Sequence, residues 1–326
     1  MRYILLLLLF SSLLFSKEPE WIFNPYDVYN KKIYEVGVGN GKTEKEAENS
    51  AYSALANIFG MKISVDTRAN EKYIETSSGV EETRILDNNT RIEAEHNLIN
   101  VKIDEKYYDE KRDIYYAIAV LNKKETSVLL EKKIKENLNI IKSYINKSDI
   151  EKDLLNKYSA MYVAYIFSEK NNNFLSQLSI IDNSKNITID DEFKMDNIKI
   201  KLEDIKRKIT FSIESVDITP NIESAIEHSI SELGFKISSN PSYIIKDKFT
   251  FDGNDTGYGM YILNYTLILE LLDYNGDRIA SFKFRGKDGG ASEKDAKRVV
   301  MNKIVREINS NLSNQISDFL DEKLKN

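Results

Sequence analysis

The sequence predicts an α+β fold: two α/β-layer domains with small, mostly antiparallel sheets, joined through an αα-hairpin and closed by a long C-terminal helix. Three observations lead there. Each half mixes short alternating apolar runs with helical stripes, two striped segments adjoin between 124 and 167, and a last stripe recurs every four residues from Ala296 to Leu320. With 326 residues, 41% hydrophobic and 30% charged, the chain can bury real cores. The expected organisation is a signal peptide over 1–16, an N-terminal α+β domain over 17–123, a helical hairpin over 124–182, a linker over 183–207 and a C-terminal α+β domain over 208–326.

Residues 1–16, MRYILLLLLFSSLLFS, set Arg2 before an apolar run and end on small residues at Ser11, Ser12 and Ser16. This is the three-part pattern of a secretory leader, and its apolar part falls short of the roughly 20 residues a bilayer-spanning helix needs. Cleavage is expected near Ser16, with an uncleaved N-terminal anchor as the rival. Trp21, the one tryptophan, is expected to anchor the segment after the leader onto the first domain.

Ile33–Val38 reads as a strand. Glu44–Phe59 reads as a helix with Ala47, Ala51, Ala54 and Leu55 at helical spacing, opened by Thr43 as N-cap and Glu46 as the partner of a capping box. Met61–Val65 reads as a second strand, while 66–95 has no clear period. Leu98–Tyr108 and Asp113–Leu121 alternate as strands around an Asp109–Arg112 turn. Leu130, Ile134, Leu138, Ile141 and Ile145 then mark a helix. A Ser148/Glu151 capping box is expected to start a second one carrying Ile150, Leu154, Tyr158, Met161 and Tyr165, and the pair is expected to pack on the first sheet.

The second half offers a strand over Lys208–Val216 and a helix opened by Thr219-Pro220 and stopped by Gly234. Strands follow over Tyr243–Phe251, Tyr261–Leu272 and Arg278–Phe284, with Asn275-Gly276 suited to a tight hairpin. The terminal helix starts near Ser292. Its strict step of four drifts around the cylinder, so either the buried face rotates along the helix or the tip projects. Thr43–Ala47 and Ser292–Ala296 echo one another, each following glycines and each placing a hydroxyl residue three before an acid.

Composition excludes several chemistries. There is no cysteine, so disulfides, thiolate metal sites, a thiol nucleophile and an acylated lipobox cysteine are all ruled out. The net charge of −6 argues against nonspecific nucleic-acid binding. The run Gly37-Val38-Gly39-Asn40-Gly41-Lys42-Thr43 imitates a phosphate loop, but Val36 stands where the first glycine of G-x-x-x-x-G-K-[ST] is required. A dinucleotide fingerprint would need glycine at Lys42. The simpler reading is that Gly37 and Gly39 let strand and helix pack closely. Asp252–Gly257 imitates a calcium loop but has Leu263 in place of the twelfth-position glutamate. His96 and His228, the only two histidines, form no metal pair or triad by spacing and are expected on the surface. Tyr107-Tyr108 and Tyr115-Tyr116 should each place one ring on either side of a sheet. No catalytic, cofactor-binding or metal-binding residue is therefore assigned.

Several of these features in order give a resemblance. Pro19-Glu20-Trp21, Tyr34–Gly39, the helix with Glu44, Ala47, Ala51 and Ala54, and Tyr115–Leu121 before a helix are together similar to the Lpp-twenty lipoprotein family of bacterial envelopes, related to the N-terminal region of the flagellar assembly protein FlgT. The resemblance covers roughly residues 19–180. The glycine-bearing Gly286–Gly290 turn and terminal helix resemble the C-terminal part of longer members. It implies an exported, non-enzymatic envelope protein without cofactor or nucleotide, in the periplasm or at the envelope. Implied partners are envelope proteins, with outer-membrane and flagellar components as candidates. The missing lipid-accepting cysteine is a departure that leaves membrane association only indirect. The contact faces expected are the helical pair 124–167 and the projecting end of the terminal helix. Two alternatives stand beside it: a periplasmic glycan or peptidoglycan hydrolase using surface carboxylates, and an anion- or ligand-binding module at the Gly37–Thr43 turn.

Overall fold

The computed structural model describes residues 18–71, 98–185, 187–215 and 219–325. The expected leader, His96 and most of the unpatterned 66–95 stretch lie outside them. The fold is mixed α+β with two small sheets, mostly antiparallel, and a long C-terminal helix. The chain divides into two compact units, and the division passes through both long central helices.

In the first unit, a 3-10 turn (Glu20–Ile22) and a one-turn helix α1 (Pro25–Val28) lead into strand β1 (Tyr34–Gly41), helix α2 (Glu44–Glu71), strands β2 (Val101–Asp109) and β3 (Ile114–Asn122), and the start of helix α3 (Lys123–Ile150). The strand order is β1-β3-β2, antiparallel throughout. Small residues shape one face: Gly37 lies opposite Ala119 and Gly39 opposite Ala117. Helix α2 buries Ala47, Ala51, Leu55 and Phe59. Val36, Ile118 and Val120 form a separate apolar cluster with Trp21, Ile22 and Tyr29. Ala117 through Leu121 are all buried, so β3 reads as a continuous apolar run rather than an alternating one.

The strand expected at Met61–Val65 is instead the continuation of α2. Its β-branched residues suggest a strand by composition, but the helix already nucleated at Thr43 carries through, since extending a helix is far easier than starting one. At the β2–β3 turn Asp109 Oδ1 accepts the Lys111 and Arg112 amides at 2.9 and 3.2 Å, and Asp113 takes φ +53°.

Helix α3 runs on past the expected break. Ser148 is buried inside it and donates to the Lys157 carbonyl at 3.0 Å, so it caps nothing. Helix α4 (Leu154–Ile181) is capped by Asp153, whose Oδ1 accepts the Asn156 amide at 2.8 Å. Of the pair expected on the first sheet, residues 123–131 of α3 and 175–181 of α4 belong to the first unit, while Ile141, Ile145, Leu155, Met161 and Ala164 belong to the core of the second.

That unit adds α5 (Met195–Lys206), β4 (Thr210–Glu214), α6 (Pro220–Glu232), β5 (Lys236–Ile237), β6 (Tyr243–Asp255), β7 (Tyr261–Leu272), β8 (Arg278–Gly290) and α7 (Glu293–Lys325). The order is β5-β4-β6-β7-β8, with β4 parallel to β5 and β6 and the remaining pairs antiparallel. Helix α5 falls within the expected linker. Ile198, Leu202 and Ile205 are buried at steps of four and three, each contributing roughly 1.5–3 kcal/mol, enough to order a short helix in a polar-looking stretch. Helix α6 begins at Thr219-Pro220 and ends in a Schellman motif: Gly234, at φ +74°, donates to Ser231 O at 2.8 Å and Phe235 to Ile230 O at 3.2 Å.

Helix α7 buries Ala296, Val300, Ile304, Ile308, Leu312 and Ile316. The drift of its stripe is met by changing partners. Ser229 of α6 lies 3.5 Å from the Ile308 carbonyl, Phe319 packs edge-on to Phe282 with centroids 6.4 Å apart, and Lys323 donates to Asn156 Oδ1 at 2.8 Å. The tip expected to project is thus packed down at least to Lys323.

Candidate functional site

The Gly37–Thr43 turn is the first place to look for chemistry, and the structure fills it. A Cβ on Gly39 would run into the Ala51 nitrogen and lie 2.5 Å from the Ala47 carbonyl oxygen; one on Gly37 would lie 2.6 Å from the Ala51 oxygen. Gly37 and Gly39 are in register with β3, and α2 lies directly on their Cα atoms. At the helix start Glu46 Oε2 accepts the Lys42 amide at 2.8 Å, Thr43 Oγ1 accepts the Glu46 amide at 3.2 Å and Thr43 O accepts the Ala47 amide at 3.1 Å. The capping box forms, with the glutamate reaching one residue farther back than expected. Three of the amides at this helix start, those of Lys42, Glu46 and Ala47, are thus already occupied.

The same junction recurs in the second unit. A Cβ on Gly290 would lie 2.7 Å from the Asp295 carbonyl carbon and inside contact distance of the Ala296 nitrogen, as one on Gly41 would lie 2.8 Å from the Ala47 nitrogen. Ser292 Oγ accepts the Asp295 amide at 3.2 Å.

The acids the sequence left open serve as anchors. Glu105 Oε2 accepts the Trp21 indole at 2.7 Å, and the Tyr29 hydroxyl donates to Asp104 Oδ2 at 2.8 Å and lies 3.3 Å from Glu105 Oε1. The backbone irregularity between Ile103 and Glu105 brings these adjacent acids to one clasp. The Tyr29 hydrogen bond holds Asp104 below the ordinary carboxylate range, which makes it unsuited to a general acid. Glu35 is buried between Lys123, at 3.2 Å, and the Tyr26 hydroxyl, at 2.9 Å. Burial, then this hydrogen bond, pushes Tyr26 up to about 12. In the second unit Tyr243 donates to Asp153 Oδ2 at 2.8 Å while accepting the Leu155 amide at 2.9 Å; burial first, then Asp153, raises its pKa. Spacing gave no sign of these long-range pairs, apart from Trp21 as an anchor.

The remaining candidates separate. Asp252 and Asn254 face one side of β6 and Asp255 the other, with Gly253 opposite Leu263 in the ladder, so the first four residues of the calcium-like run are strand and Thr256-Gly257 open the hairpin turn. Among the described residues no three His, Cys, Asp or Glu side chains group as a metal site. His228 is exposed on α6, 3.3 Å from Glu232. Tyr107 lies opposite Tyr116 and packs on the Trp21 cluster, and Tyr108 lies opposite Tyr115 with centroids 4.5 Å apart. Two surface cavities each carry one carboxylate, Glu151 in one and Glu125 in the other. One, of about 300 Å³, is lined by Tyr144, Lys147, Glu151, Asn156, Ser159 and Lys323 among others. The other, of about 610 Å³, is a shallow depression formed by Asn100, Lys124, Glu125, Val128 and Leu129. Val128 is 61% and Leu129 40% exposed there, an apolar pair between opposite charges on the first turns of α3. No helix among the described residues is long and apolar enough to cross a membrane.

No protein-family model and no curated protein sequence matches the chain. Among solved structures it is similar to a minor lipoprotein from Acinetobacter baumannii, at 15% identity over 33% of this chain and 94% of that one, with a TM-score of 0.28. It is also similar to a secreted protein from Helicobacter pylori, at 13% identity over 85% of this chain and 96% of that one, with a TM-score of 0.39.

Proposed function

We propose that this chain is an exported, non-enzymatic protein of the cell envelope that acts in structure or assembly through contacts with other envelope proteins. The observation that supports this most is the filled Gly37–Thr43 turn: the one motif resembling a nucleotide site is a strand–helix packing device. The leader-like residues 1–16 support export, and the likeness of residues 19–180 to envelope lipoproteins supports the setting. In the first unit the depression around Val128 and Leu129 supplies the contact surface, an apolar centre rimmed by Lys124 and Glu125. Capture of the tagged chain from cross-linked envelopes, wild type beside Val128→Asp/Leu129→Ser, is the test. The expected result is an envelope protein enriched over an untagged control and lost with the double variant. Recovery of the bare chain alone, or turnover of peptidoglycan that disappears when a set of its acids is replaced, would overturn the reading.

A further inference from the structure

The open face of the second sheet carries a basic stripe. Along β8, Phe282 and Phe284 turn into the core while Lys283, Arg285 and Lys287 alternate outward and are exposed. They lie opposite Ile268, Thr266 and Asn264 on β7, themselves opposite Lys248, Thr250 and Asp252 on β6. Three other cations of this face are matched: Lys246 pairs with Glu214 at 2.9 Å, and Arg278 with Glu270 at 3.0 Å, an acid shared with Lys248 at 2.9 Å. Among the described residues the side chains of Lys283, Arg285 and Lys287 have no ion-pair partner. Three unmatched cations spaced roughly 7 Å apart on one outermost strand stand out in a chain of net charge −6.

A second feature lies at the end of the same strands. The β6–β7 hairpin closes through Thr256-Gly257-Tyr258-Gly259-Met260, with Gly257 and Gly259 at φ +75° and +74°. Thr256 holds the turn shut, its amide and hydroxyl reaching the Met260 carbonyl at 2.9 and 2.8 Å. Tyr258 is 95% and Met260 53% exposed. Met260 sits beside Gly289, two residues beyond Lys287, so the apolar tip adjoins the basic stripe. Asp255, which accepts the Gly257 amide, and Asp252 are the acids nearest the tip on β6.

We propose that this corner of the second unit docks on an anionic lipid surface, the stripe facing headgroup charge and Tyr258 and Met260 entering the interfacial layer. A compact anion would need a concavity, and neither of the two cavities described above is lined by the stripe. A nucleic acid would call for rings among the outward cations, but among the described residues no outward ring stands between Lys283, Arg285 and Lys287, and exposed Tyr258 sits at the tip, next to a methionine. An exposed aromatic and apolar pair beside a row of cations matches a membrane interface, where tyrosine sits at headgroup level and each nearby basic residue adds attraction.

The test is flotation of the exported chain with vesicles of equal parts phosphatidylglycerol and phosphatidylcholine, against phosphatidylcholine alone. The readout is the difference between the two, in which any contribution of residues 1–16 common to both cancels. Lys283→Ser/Arg285→Ser/Lys287→Ser should lower anionic partitioning by on the order of a hundredfold, and Tyr258→Ser/Met260→Ser by roughly tenfold. Lys135→Ser/Lys199→Ser/Lys208→Ser, with the same charge change elsewhere, should leave it intact. All sites are exposed, and circular dichroism checks each fold. Equal partitioning of the wild type into both vesicles, equal losses in the two charge variants, or binding to dextran sulfate in place of vesicles would each overturn the proposal.

Discussion

Replacing Gly39 by alanine tests whether the glycine turn is a packing device or a ligand cradle. The added Cβ would meet main chain on all sides: the Ala51 nitrogen, the Ser50 carbonyl carbon at 2.5 Å and the Ala47 oxygen at 2.5 Å. None of these atoms can turn aside as a side chain would. Strand β1 cannot retreat without breaking its ladder to β3, and α2 cannot lift without exposing Ala47, Ala51 and Leu55. Overpacking costs typically about 1–3 kcal/mol, and a clash confined to backbone belongs at the upper end, so about 3 kcal/mol is expected. Gly60, also on α2, provides the counterpart: a Cβ there meets nothing within 4 Å, and alanine should stabilise the helix by about 1 kcal/mol. Urea unfolding followed by the fluorescence of the lone Trp21, which is buried in the same unit, reads both. Gly39→Ala with a midpoint equal to wild type would refute the packing argument, as would phosphate or ATP binding that Gly39→Ala abolishes without a change in midpoint.

Three further outcomes follow from the anchors. Glu35→Gln should cost about 1–3 kcal/mol by removing the charge that Lys123 faces, the Lys31 carbonyl remaining as an acceptor for its ammonium, measured by the same unfolding curve. Asp153→Ala removes both the α4 cap and the Tyr243 acceptor and should cost about 2 kcal/mol or more; Tyr243→Phe combined with it should cost less than the sum of the two, read in a double-mutant cycle. Tyr26 is raised to about 12, and Tyr29, Tyr243 and Tyr265 are raised by burial and then by Asp104, Asp153 and Glu307. The folded state therefore favours the neutral phenols. Their contribution is complete below about pH 10, the unfolded value, and is lost as pH rises through the folded ones. Ultraviolet titration should show a group of tyrosines ionising late, together with unfolding, and Tyr26→Phe should weaken the alkaline loss of stability.

Local signals were the most legible part of the sequence. Thr43 with Glu46, Thr219-Pro220 with Gly234 and Asn275-Gly276 each act within a few residues, and each forms near where it was read. Tertiary context decided the rest. Met61–Val65 follows the helix already begun at Thr43, α5 is held by three buried side chains in a stretch that reads as linker, and Ser148 yields the cap to Asp153, whose other oxygen holds Tyr243. Glycine spacing at 37, 39 and 41 suggested two readings, and only the position of α2 against them decides between those readings. The Lys283–Lys287 stripe alternates visibly along the strand, but its lack of partners depends on which residues β6 and β7 bring alongside.

The recurrent strand–helix junction also bears on how each unit acquires its form. Gly39 against Ala51, and Gly290 against Ala296, unite neighbours along the chain, so little loop entropy opposes them and they are suited to nucleating each unit. The Trp21–Glu105 bond spans 84 positions and can close only after β2 is in place. The indole's environment therefore depends on a long-range contact, and its fluorescence follows the docking of the 3-10 turn onto β2 in place of the local junctions.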